Sequence, residues 1–233
     1  MIGGTGGDPL TSGDFIRGFF GRVDSHLNSV PGDNETEMDW TFYLPKVRNY
    51  VVLYGDAYAE DTILPIKDPA RNPWHPGLYI TRIPGIHNLD FHIEGVSTEQ
   101  AGAFNNQGNH GNFNYWNFQY QDGNTVNGNL IGNTVGRDGR TIRSWFTYWI
   151  SPQDTVQFFY KHNTVSSDFV PGGGAWQDYG LRTEMHLPGG AYVKGEVQYE
   201  NISHYPLLFN GRQRNITAIL EVGFAPREKT NGR

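Results

Sequence analysis

With 233 residues the chain is long enough for one domain with a sizeable core, and the absence of cysteine removes disulfide frameworks and thiolate metal sites together. A formal charge of −6, with Lys and Arg scattered along the chain, leaves no basic stripe and argues against nucleic acid as a partner. Mean hydropathy is −0.56 and no run of about 18 apolar residues exists, which removes a helical span but not a membrane β-barrel, whose strands carry their signal in every second residue.

In chain order, Met1 to Pro9 has neither a charged n-region nor an apolar h-region, so no secretory leader is visible and the chain is expected to be the C-terminal part of a longer protein or to begin at an internal methionine. A weak first strand is predicted over 15–23, followed by a long connection, 24–37. Strands 38–44 and 48–59 are joined only by Pro45, Lys46 and Val47; after the long stretch 60–77, strands 78–83 and 88–97 are joined by Pro84 to His87. Another long stretch, 98–113, leads to strand 114–121. Because that strand begins at a long loop and 141–150 ends at a short turn, alternation of direction demands one more between them, and 125–135 is the candidate, turning through Gly136 to Gly139. Strands 141–150 and 155–163 meet at Ser151 to Asp154, and 177–187 and 191–202 meet at Pro188 to Gly190. Long segments 164–176 and 203–213 precede 177–187 and the last strand, 215–224.

Short turns at one end and long loops at the other predict an all-β fold, an antiparallel up-and-down transmembrane β-barrel with its short turns in the periplasm. About twelve strands are counted, an even number that returns both termini to the periplasmic side, and residues 1–233 form a single barrel domain.

Successive strand residues point to opposite faces, so parity sorts the side chains. Leu89, Phe91 and Ile93 oppose Asp90, His92 and Glu94; Ile142, Phe146 and Tyr148 oppose Arg143, Trp145 and Trp149. Tyr179, Leu181 and Met185 oppose Arg182, Glu184 and His186, and Val193 and Val197 oppose Lys194, Glu196 and Gln198. In the last strand Ile216, Leu220, Val222 and Phe224 share one side, and a strand closing on an aromatic resembles the terminal assembly signal of barrel proteins. With the apolar face against lipid, the charges line a wet interior. Tyr43, Tyr79, Tyr148, Tyr160, Tyr179 and Phe224 are candidates for the interfacial girdles. The alternative is a soluble β-sandwich or small barrel, in which the same apolar face meets a core and the charges meet solvent.

The pairs His92 with Glu94 and Glu184 with His186 have spacing suited to a divalent metal but lack a third ligand, and a solvated charge pair accounts for them better; no metal or cofactor is expected. The interior carboxylates could supply a glycosidase pair only at a separation the sequence does not give, and no enzymatic activity is expected. Trp145 and Trp149 beside Arg143 on a polar face suit carbohydrate, whose C–H faces stack on rings while its hydroxyls take polar partners; filling the barrel is the dull alternative. Trp74, His110 and Trp176 fall in predicted long loops, where binding residues concentrate. The polysaccharide-binding candidates are therefore Trp74, His110, Arg143, Trp145, Trp149, Trp176, Arg182 and Glu184.

A series of local strings carries a resemblance: Trp74-His75-Pro76-Gly77, Tyr115-Trp116-Asn117, Gly128 to Gly132, Phe169 to Gly174 with Asp178 and Arg182, Val197 to Glu200, and Asn215-Ile216-Thr217. In this order the chain resembles the C-terminal half of the capsule assembly protein Wzi family. The resemblance implies an outer-membrane barrel larger than this chain, of roughly eighteen strands, acting as a surface lectin that holds capsular polysaccharide and helps assemble the capsule. It implies a location in the bacterial outer membrane, with capsular or extracellular polysaccharide and outer-membrane lipid as partners and a monomeric state. It supplies no ligand residues, so the candidates above rest on face and loop. A porin-like diffusion channel and a soluble β-sandwich carbohydrate-active enzyme are the competing readings.

Overall fold

The computed structural model describes residues 12–13, 35–60, 65–67, 69, 72–99, 125–126, 129–130, 135–167, 172–204 and 211–224. Nine of its strands form one antiparallel sheet: β1 (Glu35–Tyr43), β2 (Val51–Glu60), β3 (Trp74–Ile80), β4 (Leu89–Ser97), β7 (Gly139–Trp149), β8 (Thr155–Val165), β9 (Gly174–His186), β10 (Ala191–His204) and β11 (Gln213–Phe224). Two residue pairs, β5 (Thr125–Val126) and β6 (Asn129–Leu130), make a separate hairpin. Strands pair in chain order except that β4 pairs directly with β7.

That pairing corrects the twelve-strand expectation. From Leu89 to Ser97, β4 is bonded residue by residue to β7 from Tyr148 to Arg140, so no strand inserts between them. Within 125–135 the described residues 125–126 and 129–130 form the small hairpin, and a single connection from β4 to β7 satisfies alternation of direction. The expected strands 15–23 and 114–121 lie outside the described residues.

The short connections are as tight as expected. Leu187 N–H donates to the Ala191 carbonyl at 2.8 Å, with Gly189 and Gly190 at φ 89° and 92°, a left-handed conformation that glycine adopts without steric cost. Between β7 and β8, Ile150 N–H donates to the Asp154 carbonyl at 2.9 Å. All four short connections fall at one end of the sheet and the four long ones at the other.

Register places every described acidic strand residue on one face. Glu37 and Asp39 of β1 pair with Tyr58 and Asp56 of β2, while Asp90 and Glu94 of β4 pair with Thr147 and Arg143 of β7. On the last three strands Asp178, Glu184, Glu196, Glu200 and Glu221 share the same side. Against these ten carboxylates stand four cationic chains, Arg143, Lys161, Arg182 and Lys194. The opposite face of the described strands carries no carboxylate; its rows are Phe42, Leu53, Leu78, Ile93 and their equivalents.

That apolar face is uncovered. Ile216 is 75% exposed, Leu220 74% and Phe224 68%, and no second sheet packs against them among the described residues. A β-sandwich requires a facing sheet about 10 Å away, which the described residues do not supply, whereas burial in hydrocarbon removes so continuous an apolar surface from water. From Phe224 to Ile216 is eight residues, about 27 Å along the strand and about 21 Å along the membrane normal at a tilt near 40°, comparable with a barrel's apolar band. Tyr160, Tyr179 and Tyr199 form a contiguous row at the loop-side edge, with ring centroids 5.1 and 6.5 Å apart. Beyond them the outer face turns polar at His162, Gln177, Asn201 and Arg214. Two of the expected girdle residues are corrected: Tyr43 pairs with Val52 and Tyr79 with His92, both on the charged face.

Candidate functional site

Proximity across β3, β4, β7, β8, β9 and β10 builds a hollow of about 570 Å³ on the charged face, near the short-turn end. Trp149 closes β7 there. Its indole N–H donates to Asp90 Oδ2 at 2.6 Å, which fixes the ring edge while the residue stays 40% exposed. Asp90 itself is only 4% exposed.

Deeper along the wall, three rings stack across three strands. Tyr79 lies 3.8 Å from His92, and His92 lies 4.7 Å from Trp145 at an interplanar angle of 8°. The Arg143 guanidinium covers the next position, 5.1 Å from the Trp145 ring centre. These contacts follow from the ladder, because Tyr79, His92 and Trp145 are direct cross-strand partners on one face.

The opposite wall is ionic. Arg182 reaches Glu196 through Nε and a terminal nitrogen at 2.8 and 2.7 Å, and Lys194 lies 3.2 Å from Glu184. Arg182 also sits 5.7 Å from the Phe159 ring centre, and Phe159 is buried over Gly180. A Cβ at position 180 would lie 2.0 Å from Phe159 Cζ, so only glycine lets this ring lie flat on the wall.

Outside the spanning strands, Asp154 in the β7–β8 turn accepts the His186 backbone N–H at 2.6 Å and the Ser151 hydroxyl at 2.7 Å. The backbone donor above all, with Ser151 beside it, holds the Asp154 carboxyl below the usual aspartate range. This ties the floor of the hollow to the end of β9.

Nearer the loop end, Tyr54 donates to Glu94 at 2.7 Å, and His75 lies 3.0 Å from Asp56 and 3.7 Å from Glu94. The two histidine–carboxylate pairs considered for a metal do not converge: His92 is held between rings, and His186 lies 3.8 Å from Glu184. Among the described residues no group of three or more such side chains is placed to share an ion.

Of the eight sequence candidates, Trp145, Trp149, Arg182 and Glu184 line the hollow, with Arg143 stacked behind Trp145. Trp176 is on the same face but near the loop end, paired with Asn163 and Ile202. The expected loop positions of Trp74 and Trp176 are corrected, since Trp74 opens β3 and Trp176 is within β9. Trp74 moreover belongs to the outer face, where it borders a separate hollow of about 490 Å³ with Pro76, Ile142 and His162. His110 lies outside the described residues. Sequence reasoning missed Tyr79, Asp90, Gln157 and Lys194 as lining residues, although strand parity alone puts each on the charged face.

The hollow offers exposed ring surface beside hydrogen-bonding and ionic groups, an arrangement suited to a sugar's apolar faces and hydroxyl rim. A sequence profile described as capsule assembly protein Wzi matches residues 1–218. Among solved structures the chain is similar to Wzi of Escherichia coli, described as an outer membrane protein involved in group 1 capsule assembly and a carbohydrate-binding β-barrel. The TM-score is 0.64 at 17% identity, covering 95% of this chain and 45% of that one. The chain thus spans under half the length of that structure, and at this identity the likeness shows the fold. No curated protein matches.

Proposed function

The chain belongs to the capsule assembly protein Wzi family, and on that premise we propose that it is the C-terminal part of an outer-membrane β-barrel lectin. In this reading it binds capsular or other exopolysaccharide, holds it at the cell surface and assists capsule assembly as a single, non-enzymatic chain. The observation that carries polysaccharide binding is the hollow of Trp145, Trp149, Arg182 and Glu184, an aromatic and ionic surface on the lipid-averted face; it lies near the short-turn, periplasmic end, so retention at the cell surface rests on the family and not on the hollow.

Closure is part of the proposal. With nine strands in an antiparallel sheet, β1 and β11 run in the same direction, so an all-antiparallel barrel needs an odd number of further strands. Residues 15–23 or other strands of a longer protein would supply them, since open edges are not tolerated in lipid.

The test is titration of the full-length protein in detergent with fragments of the producing strain's capsular polysaccharide, followed by tryptophan fluorescence. Saturable binding that the paired substitution Trp145→Ala and Trp149→Ala abolishes is expected; unchanged binding by that variant would remove the hollow from the account.

A second reading, a diffusion channel, is favoured by one observation, the ten carboxylates against four cationic chains on the interior face. Such a pore conducts cations in preference to anions. Planar-bilayer recordings without conductance steps would eliminate it.

A further inference from the structure

Within the proposed lectin function, we propose that the hollow at the short-turn end is a subsite for an uncharged glycosyl unit, seated on the Trp149 ring and donating a hydroxyl to Asp90 Oδ1. This rests on the polysaccharide-binding reading and narrows it to a class of sugar and a place on the wall.

Asp90 supplies the first argument. One carboxylate oxygen accepts the Trp149 indole N–H, but the other, Oδ1, is buried and accepts no hydrogen bond within the protein. The His92 Nε2 is 3.9 Å from it, beyond hydrogen-bond reach. A buried acceptor left open costs free energy unless a donor fills it. Beside an exposed indole, a hydroxyl rim supplies that donor while the sugar's C–H face covers the ring.

The second argument concerns charge. An acidic sugar needs a free cation, and both basic chains at the hollow are already engaged, Arg182 with Glu196 and Lys194 with Glu184. The remaining acceptor is itself anionic. The hollow's own lining is balanced, Asp90 and Glu184 against Arg182 and Lys194, but the charged face as a whole carries ten carboxylates against four cationic chains, a field that disfavours an anionic ligand. A uronate would therefore meet repulsion where an uncharged ring meets an acceptor.

The experiment uses the full-length protein in detergent and fragments of the producing strain's capsular polysaccharide separated by anion exchange into uncharged and acidic oligosaccharides. Oligogalacturonate serves as acidic reference in every titration. The uncharged fraction is expected to bind at least about tenfold more tightly than either acidic probe, and Glu196→Gln, which leaves Arg182 without its carboxylate, is expected to narrow that ratio. Heat-modifiable gel mobility verifies that the variant is folded; if it is not, Glu184→Gln, which frees Lys194, takes its place. Tighter binding of an acidic probe, or a ratio that the folded variant does not move, overturns the assignment while polysaccharide binding stands. Absence of response to every fraction overturns the proposed function along with it.

Discussion

Replacing Leu181 by Arg puts a charge on the face assigned to lipid, and the sheet geometry gives the cost. Leu181 pairs with Phe158 and Val197, one ladder step from the Tyr160, Tyr179 and Tyr199 row and three from the level of Phe224. Each two-residue step advances about 6.8 Å along the strand and about 5 Å along the normal at a tilt near 40°. Leu181 therefore sits about 5 Å inside one edge of the apolar band and about 15 Å from the other. A cationic side chain costs about 2–4 kcal/mol at the midplane of a barrel's lipid face and little at its edges. Halfway between edge and midplane, Leu181→Arg should destabilise by about 1–2.5 kcal/mol, roughly 5- to 70-fold in the folding equilibrium. Gln198→Arg is the control. Gln198 pairs with Gly180 and Thr217 on the charged face, between Glu196 and Glu200, and hydrogen-bonds Asp178; an Arg there still offers a donor to that carboxylate, so its replacement should stay within about 0.5 kcal/mol. Urea unfolding of the full-length protein in phosphatidylcholine vesicles, followed by tryptophan emission, compares the two. Equal penalties, or a larger one for Gln198→Arg, would refute the assignment of faces.

Three further outcomes follow from the same wall. Gly180→Val forces a side chain into the Phe159 ring, whose Cζ would lie 2.0 Å from the new Cβ, and should cost about 1–3 kcal/mol by overpacking, read as a lower temperature for the heat-modifiable gel shift. Asp90→Ala strips the Trp149 indole N–H of its 2.6 Å partner and should cost about 1–3 kcal/mol with loss of the sugar-dependent fluorescence change; retention of both stability and signal would contradict the role given to Asp90. Because the Asp154 carboxyl is held below its ordinary range, its contribution to stability is present above that range and lost as pH falls through the folded value. Asp154→Asn should be less stable than wild type at neutral pH, with the gap closing in acid; a gap independent of pH would show that the turn does not depend on the charge.

Strand parity carried most of what was legible. A period of two is fixed by the backbone, so the facing of Asp90, Trp145, Arg182 and Glu184 could be assigned without knowing what lay beside them. Neighbours were a different matter, because the Trp149–Asp90 bond joins residues 59 apart in sequence and depends on the register of β4 against β7. The start of β3 was hidden by Pro76, which has no N–H to give and falls in the stretch where the β3–β4 ladder skips from Trp74 to Gly77. Tyr79 stands near a strand end, as girdle residues do, but its neighbours Leu78 and Ile80 face outward and parity sends it inward. The strand expected over 125–135 came from direction counting, which cannot distinguish two added strands from none.

These 233 residues hold no cysteine, so single thiols placed in them can probe both faces once any cysteine elsewhere in the full-length protein has been replaced by serine. We would place one at Gln157, which lines the hollow, and one at Val197, on the apolar face, in the full-length protein reconstituted in vesicles. A water-soluble maleimide is expected to label the thiol at 157, with protection by capsular polysaccharide, while the thiol at 197 reacts only with a lipid-dissolved reagent and ignores the polysaccharide. Labelling at 157 that polysaccharide leaves unchanged, together with ready aqueous labelling at 197, would contradict the account.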